Sequence, residues 1–288
     1  MSWFLYQLPK GQKTSIQSII DYSREFWNLD AKKEYSLIMT LDETQHLFRF
    51  ITEEHQYRSC FTQGAVIELY YSVRYVVSKL LEEFQQSLRE WTCQDRLPLL
   101  KKICVYASDQ AFVAEFDEQK GFQLLITSFV ANKFNEFELR YILDIIAKIL
   151  EHDIIRWFGP NAVIEKNFIE RIIELISSNK FMILVQPSQQ QQQQLNHSSL
   201  IPDSERRILI LSLSILESAI LNAAKLFLPV IREQLPIKKL SLLLEHEKFP
   251  DIQQNVLALI NAILQNQEPS KRRDQFRIFK ETILRYVT

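Results

Sequence analysis

The stretch SLSILESAILNAAKLF, Ser212 to Phe227, returns 39 residues later as DIQQNVLALINAILQN, Asp251 to Asn266. With Asn222 set over Asn261, the two centres read A-I-L-N-A and A-L-I-N-A. In the second copy Ile252, Val256, Leu257, Leu259, Ile260, Ile263 and Leu264 fall on a broad stripe of one helix. Asp251, after Pro250, stands where an N-cap belongs. A third copy lies upstream in YILDIIAKIL, Tyr141 to Leu150. Shifted by 114, it places Ile142, Leu143, Ile145, Ile146, Ile149 and Leu150 over Val256, Leu257, Leu259, Ile260, Ile263 and Leu264, with Ala147 in the place of Asn261. Spacing, period and the paired asparagines together predict stacked helices, each burying its apolar face only against its neighbours.

A 39-residue offset sits close to the roughly 40–47-residue period of armadillo and HEAT arrays. From Arg74 onward the pattern predicts helices over 74–90, 96–107, 109–117, 121–132, 136–151, 163–178, 204–226, 236–246, 251–266 and 271–286. One segment interrupts them. QPSQQQQQQLNHSSLIPDS, Gln186 to Ser204, carries too little apolar surface to offset the entropy of ordering, so a disordered Gln-rich loop is expected at about 186–203. Before residue 74 the chain reads as mixed α and β. Ser2–Leu8 is a predicted strand ending at a Pro9/Gly11 turn, and Thr14 or Ser15 then caps a helix reaching Trp27. Tyr35–Leu41, Leu47–Thr52 and Ala65–Ser72 are aromatic and β-branched strands. That order is a ubiquitin-like roll whose first strand is missing. The expected architecture is therefore mainly α: an armadillo-like superhelix over 74–288 behind a small, incomplete ubiquitin-like α+β domain over 1–73.

Composition narrows the function classes. The 288 residues are 47% hydrophobic, which is enough for a sizeable core. A formal net charge of −1 gives no global basic field, so no nucleic-acid partner is expected. The four glycines are scattered at Gly11, Gly64, Gly121 and Gly159, which leaves no phosphate-cradling loop. The five histidines (His46, His55, His152, His197, His246) show no metal-ligand spacing. Cys60, Cys93 and Cys104 fit buried thiols in a reducing compartment. No catalytic, cofactor-binding or metal-binding residue is assigned, and a non-enzyme of the cytoplasm is expected. Ile208 to Ile231 is long enough to span a bilayer, yet it carries Glu217, Asn222 and Lys225, so a buried core helix is expected instead of a transmembrane segment.

Several stretches resemble, in order, the N-terminal half of the ELMO (engulfment and cell motility) family. They are TSIQSIIDYSREFWNL (Thr14–Leu29), DQAFVAEFDEQKGFQLLITSFV (Asp109–Val130), IAKILEHDIIRW (Ile146–Trp157), SLSILESAILN and DIQQNVLALINAIL. The resemblance implies a Ras-binding-type ubiquitin-like domain followed by an armadillo-like helical domain. It implies an adaptor bound by a Rho-type GTPase (RhoG-like), acting with DOCK-type exchange factors on Rac in the engulfment of dying cells and in cell motility. The glutamine tract departs from the family pattern. The later ELMO, pleckstrin-homology and proline-rich parts of the family have no counterpart before Thr288, so DOCK contact is expected only of a longer form. Recruitment to the plasma membrane would come through a partner.

In Ras-binding-type ubiquitin folds the second strand and first helix meet the GTPase. On that analogy the candidate GTPase-binding residues are Trp3, Tyr6, Lys10, Lys13 and Arg24, the basic ones suited to an acidic GTPase surface. Asn222 and Asn261 are candidate groove residues. In peptide-binding armadillo arrays such asparagines bond an extended peptide; the reading preferred here is that each amide ties neighbouring repeats in register. The basic run Ser270–Lys280 reads as a solvated helix face. Two alternatives to the GTPase adaptor stay open, a standalone armadillo peptide-binding scaffold and a truncated competitor of longer relatives.

Overall fold

A computed structural model describes residues 15–30, 33–42, 47–53, 55–56, 67–90, 93–155, 162–179, 203–245, 249–267, and positions 272, 273, 276, 277 and 280. The predicted strand Ser2–Leu8 lies outside the described residues. So does the Gln-rich segment up to residue 202, whereas Asp203 already opens a helix.

The first helix, α1 (Ile16–Phe26), begins where the sequence places a cap. Ser15 accepts from the Ser18 backbone N–H at 3.1 Å, and the Ser18 hydroxyl accepts from the Ser15 N–H at 3.0 Å. Strands β1 (Tyr35–Asp42), β2 (Leu47–Ile51) and β3 (Ile67–Tyr71) form a sheet of order β2-β1-β3, with β1 antiparallel to both neighbours. Side chains alternate between the faces of a strand. Leu37 and Ile51 therefore pack with Ile19 and Ile20 of α1. Ile38 and Phe50, one residue along on each strand, belong to the main helical core. The small sheet is thus buried on both faces, between α1 and the helices.

Those helices are α2 (Val73–Glu90), α3 (Cys93–Tyr106), α4 (Gln110–Glu118), α5 (Gly121–Val130), α6 (Glu136–Glu151), α7 (Ala162–Ser178), α8 (Asp203–Gln234), the short α9 (Ile237–Ser241) with a 3-10 turn at Leu242–Glu245, and α10 (Pro250–Gln265). One row runs α3 against α6, α6 against α8 and α8 against α10. A second row joins α2, α4, α5 and α7 and closes onto α8. Burial repeats along the first row. Leu99, Leu100, Ile103, Cys104 and Ala107 are matched 43 residues later by buried Ile142, Leu143, Ile146, Ala147 and Leu150. Ser212, Leu216, Ala219, Ile220 and Ala223 are matched 40 residues later by buried Ile252, Val256, Leu259, Ile260 and Ile263. The fold is mainly α, an armadillo-like helical array behind a partial ubiquitin-like unit, as the sequence predicts.

Three details differ. The structural offset between α8 and α10 is 40, not the 39 that superposes the asparagines. The helix predicted over 204–226 continues to Gln234, broken at Ala223 (φ −146°, ψ 44°) and carrying Pro229, whose missing N–H denies the Lys225 carbonyl its usual donor. The helix predicted over 236–246 is a single turn of α9 followed by 3-10 geometry. Among the described residues, α8 alone is long and apolar enough to cross a membrane, but 56% of its most apolar window is buried inside the protein, as in a core helix.

Sheet and array are bonded as well as packed. The Asp109 carboxylate accepts from the Phe112 N–H at 2.8 Å as the N-cap of α4 and from the Phe50 N–H of β2 at 3.0 Å. Burial raises its pKa, opposed by these backbone donors. The Tyr70 and Tyr106 hydroxyls meet at 2.7 Å, and the Phe50, Tyr106 and Phe112 rings stack in sequence.

Candidate functional site

Two surfaces stand out among the described residues. The first is the outer face of α1. Ile19, Ile20 and Ser23 point inward, so Tyr22 and Phe26 are left outward at 44% and 58% exposure. Their rings stack at 6.3 Å, and Phe26 meets Trp27 edge-on at 5.9 Å. Exposed neighbouring aromatics carry large contact area at low entropic cost, the usual makings of an interface. Arg24 sits beside them, half-buried, 3.5 Å from Asp21, which also accepts from Gln17 at 2.9 Å. Of the sequence-predicted residues of this face, Trp3, Tyr6, Lys10 and Lys13 lie outside the described residues. Tyr22 was not singled out in the sequence, whereas Phe26 recurs with Ile16, Ile19, Ile20 and Trp27 at helical spacing. Seven residues after Ile19, Phe26 reads as part of the inward stripe, yet it stands exposed at the end of α1.

The second surface surrounds the break in α8. Asn222 and Asn261 are both exposed. Asn261 accepts from Gln265 of its own helix at 3.3 Å, a bond within one helix where a tie between repeats was expected. Asn222 lines a recess of about 780 Å³ with Ala223, Ala224, Lys225, Leu228, Pro229, Arg232 and Asn266. Asn261 is not among the described residues lining this recess; Asn266, just past α10, lines it with Asn222. Sequence spacing missed Lys225, Arg232 and Asn266. Pro229, inside an otherwise helical run, was the one local sign that the helix bends there.

Buried polar groups elsewhere serve the fold. The Cys104 thiol donates to Asp144 at 3.1 Å, and the Lys148 ammonium donates to the Cys104 carbonyl at 2.9 Å. Asp144 also accepts from Arg207 at 3.0 Å, so α3, α6 and α8 share one polar cluster. Burial, then the Asp144 bond, pushes the Cys104 thiol up to about 11, the reverse of what a nucleophile needs. Among the described residues no three His, Cys, Asp or Glu side chains are grouped to hold a metal ion.

Comparison with known proteins agrees with the armadillo-like fold. Residues 189–288 match the family described as ELMO, armadillo-like helical domain. The chain is 26% identical to human engulfment and cell motility protein 2 over 286 residues, 97% of this chain and 34% of that protein. The corresponding cattle protein is also 26% identical over 97% of this chain, and mouse engulfment and cell motility protein 1 is 24% identical over 96%. The chain spans about a third of the length of the curated relatives it matches.

Proposed function

From a chain that resembles the engulfment and cell motility proteins along nearly its whole length, we propose an ELMO-like adaptor that binds a Rho-type GTPase of the RhoG kind. The observation that carries this reading is the likeness over 97% of the chain to proteins named for engulfment and cell motility. The fold supports it, because α1 and its antiparallel sheet form a partial ubiquitin-like unit held against a helical array. In this reading residues 1–73 receive the GTPase through the α1 face, where Arg24 complements an acidic surface and Tyr22 and Phe26 supply apolar contact. Residues 74–288 brace that module and offer further contact area. The pathway served is DOCK–Rac signalling in the engulfment of dying cells and in motility, with DOCK contact made by a longer form. The protein works in the cytoplasm and reaches the plasma membrane through its partners.

The test is capture of RhoG, Rac and Ras, each loaded with a GTP analogue or GDP, on the purified chain. GTP-selective capture of RhoG, lost when Tyr22 and Phe26 are both changed to Ala, is the expected result. No capture by protein shown folded by circular dichroism would overturn it and leave the standalone scaffold as the reading to test.

A further inference from the structure

We propose that the recess at the break in α8 is a docking site for an extended acidic segment of a partner protein. The site is separate from the α1 face and does not depend on the GTPase reading. Its shape follows from the break. Ala223 leaves helical geometry, Ala223 and Ala224 carry too little side chain to fill the gap, and Leu228 and Pro229 supply an apolar lining. A volume of about 780 Å³ lies within the range of ligand-sized recesses, roughly 300–1,000 Å³.

Its charge is one-sided. Among the described lining residues the charged side chains are Lys225 and Arg232, both cationic. Lys225 is exposed and Arg232 half-buried, and the Arg232 Nε is buried with no hydrogen-bond partner. An unsatisfied guanidinium beside the recess favours an acceptor, above all a carboxylate, next to Arg232. Arg232 and Pro229 also line a neighbouring recess with Glu233 and Ile237, so the depression continues along α8.

The remaining polar groups select a peptide over a simple anion. Asn222 is exposed, with both a donor and an acceptor to offer. Asn266 gives its Nδ2 to the Ala262 carbonyl at 3.0 Å, which leaves its amide oxygen as an acceptor. The Lys225 carbonyl has no N–H to receive from Pro229. The two amide oxygens can receive N–H donors. An extended backbone brings N–H groups, carbonyls and a carboxylate side chain together, whereas inorganic phosphate is a single centre with no N–H to offer. A flat membrane surface cannot enter the recess.

The test uses the full 288-residue chain and fluorescence anisotropy. The probes are fluorescein-labelled nine-residue peptides, each with two or three glutamates spaced by small and apolar residues, and their lysine-for-glutamate counterparts. Saturable binding of acidic peptides alone is expected, weakened about tenfold or more by Lys225→Gln and by Arg232→Gln, a loss of roughly 1.4 kcal/mol. Asn222→Ala, at an exposed position, weakens binding without a charge change and covers the case in which Arg232→Gln disturbs folding. The proposal fails if no acidic peptide saturates, if lysine peptides bind equally, or if the three variants bind as the parent does. It also fails if inorganic phosphate at millimolar concentration displaces the peptide fully, which marks a simple anion site, or if phosphatidylserine vesicles capture the parent and K225Q alike while peptides do not bind.

Discussion

Arg96 is held by three elements at once. Its guanidinium donates to Glu138 at 2.9 Å, to the Lys133 carbonyl at 3.2 Å and to the Ser87 carbonyl at 3.0 Å. The other Glu138 oxygen accepts from the Asn135 N–H at 2.9 Å, closing the capping box of α6. Both side chains are buried, so removing one partner leaves a charge without compensation. Arg96→Met should cost about 3–5 kcal/mol in urea unfolding, and the double change Arg96→Met with Glu138→Met should recover most of it. Half of this arrangement was legible: Asn135 three residues before Glu138 is a cap signature in the sequence, but nothing local names Arg96, 42 residues away, as its partner. Glu165 is a second buried carboxylate, and burial alone lifts it to about 7 from its ordinary 4.5. Between those pH values the folded chain holds a proton that the unfolded chain releases. Stability from this group is therefore present below pH 4.5 and lost as pH rises through 7. Thermal melts of Glu165→Gln should match the parent at pH 4 and lie above it at pH 8.

At the scale of elements, the turn between α4 and α5 depends on one missing atom. Lys120 takes the left-handed conformation (φ 62°) and Gly121 opens α5. A Cβ on Gly121 would sit 2.7 Å from the Phe116 ring, which is fully buried and stacked on Phe112. The ring has no free side to move to. Gly121→Ala should therefore destabilise by about 1–3 kcal/mol, with Gly121→Val worse, read as a fall in the urea midpoint. Helix positions were largely legible because each buries one apolar stripe, and 3.6-residue periodicity reports that stripe directly. The course of α8 was not. Its break falls at Ala223, six residues before the proline, in a stretch whose composition is as helical as its surroundings. The repeat was read one residue out of register for a related reason. Asn222 and Asn261 are both exposed, so their identity is not fixed by the packing that sets the period, whereas Ser212, Leu216 and Ala219 and their partners 40 residues on are.

The whole molecule couples a small α+β unit to a helical array, and the coupling bears on any partner that touches both. Among the described residues this unit is three strands and one long helix with little core of its own; Ile19, Ile20, Leu37 and Ile51 make up its separate buried cluster. Its other face, Ile38 and Phe50, is buried in the array, and Asp109 bonds both units through the Phe50 and Phe112 N–H groups. The sheet should accordingly share the array's stability. Native-state hydrogen exchange tests this. In the parent, the slow amides of β1 and β2 should exchange with the same opening free energy as those of α2 and α4. Asp109→Ala leaves the Phe50 N–H buried without an acceptor and uncaps α4, each costing on the order of 1–2 kcal/mol. In that variant β1 and β2 should open at a lower free energy than α6 and α8, while the distant α8–α10 contact keeps its protection. Equal losses across every helix would mean that the carboxylate stabilises the array as a whole and does not join the two units. Unchanged protection would mean that the Phe50, Tyr106 and Phe112 stack alone holds them together.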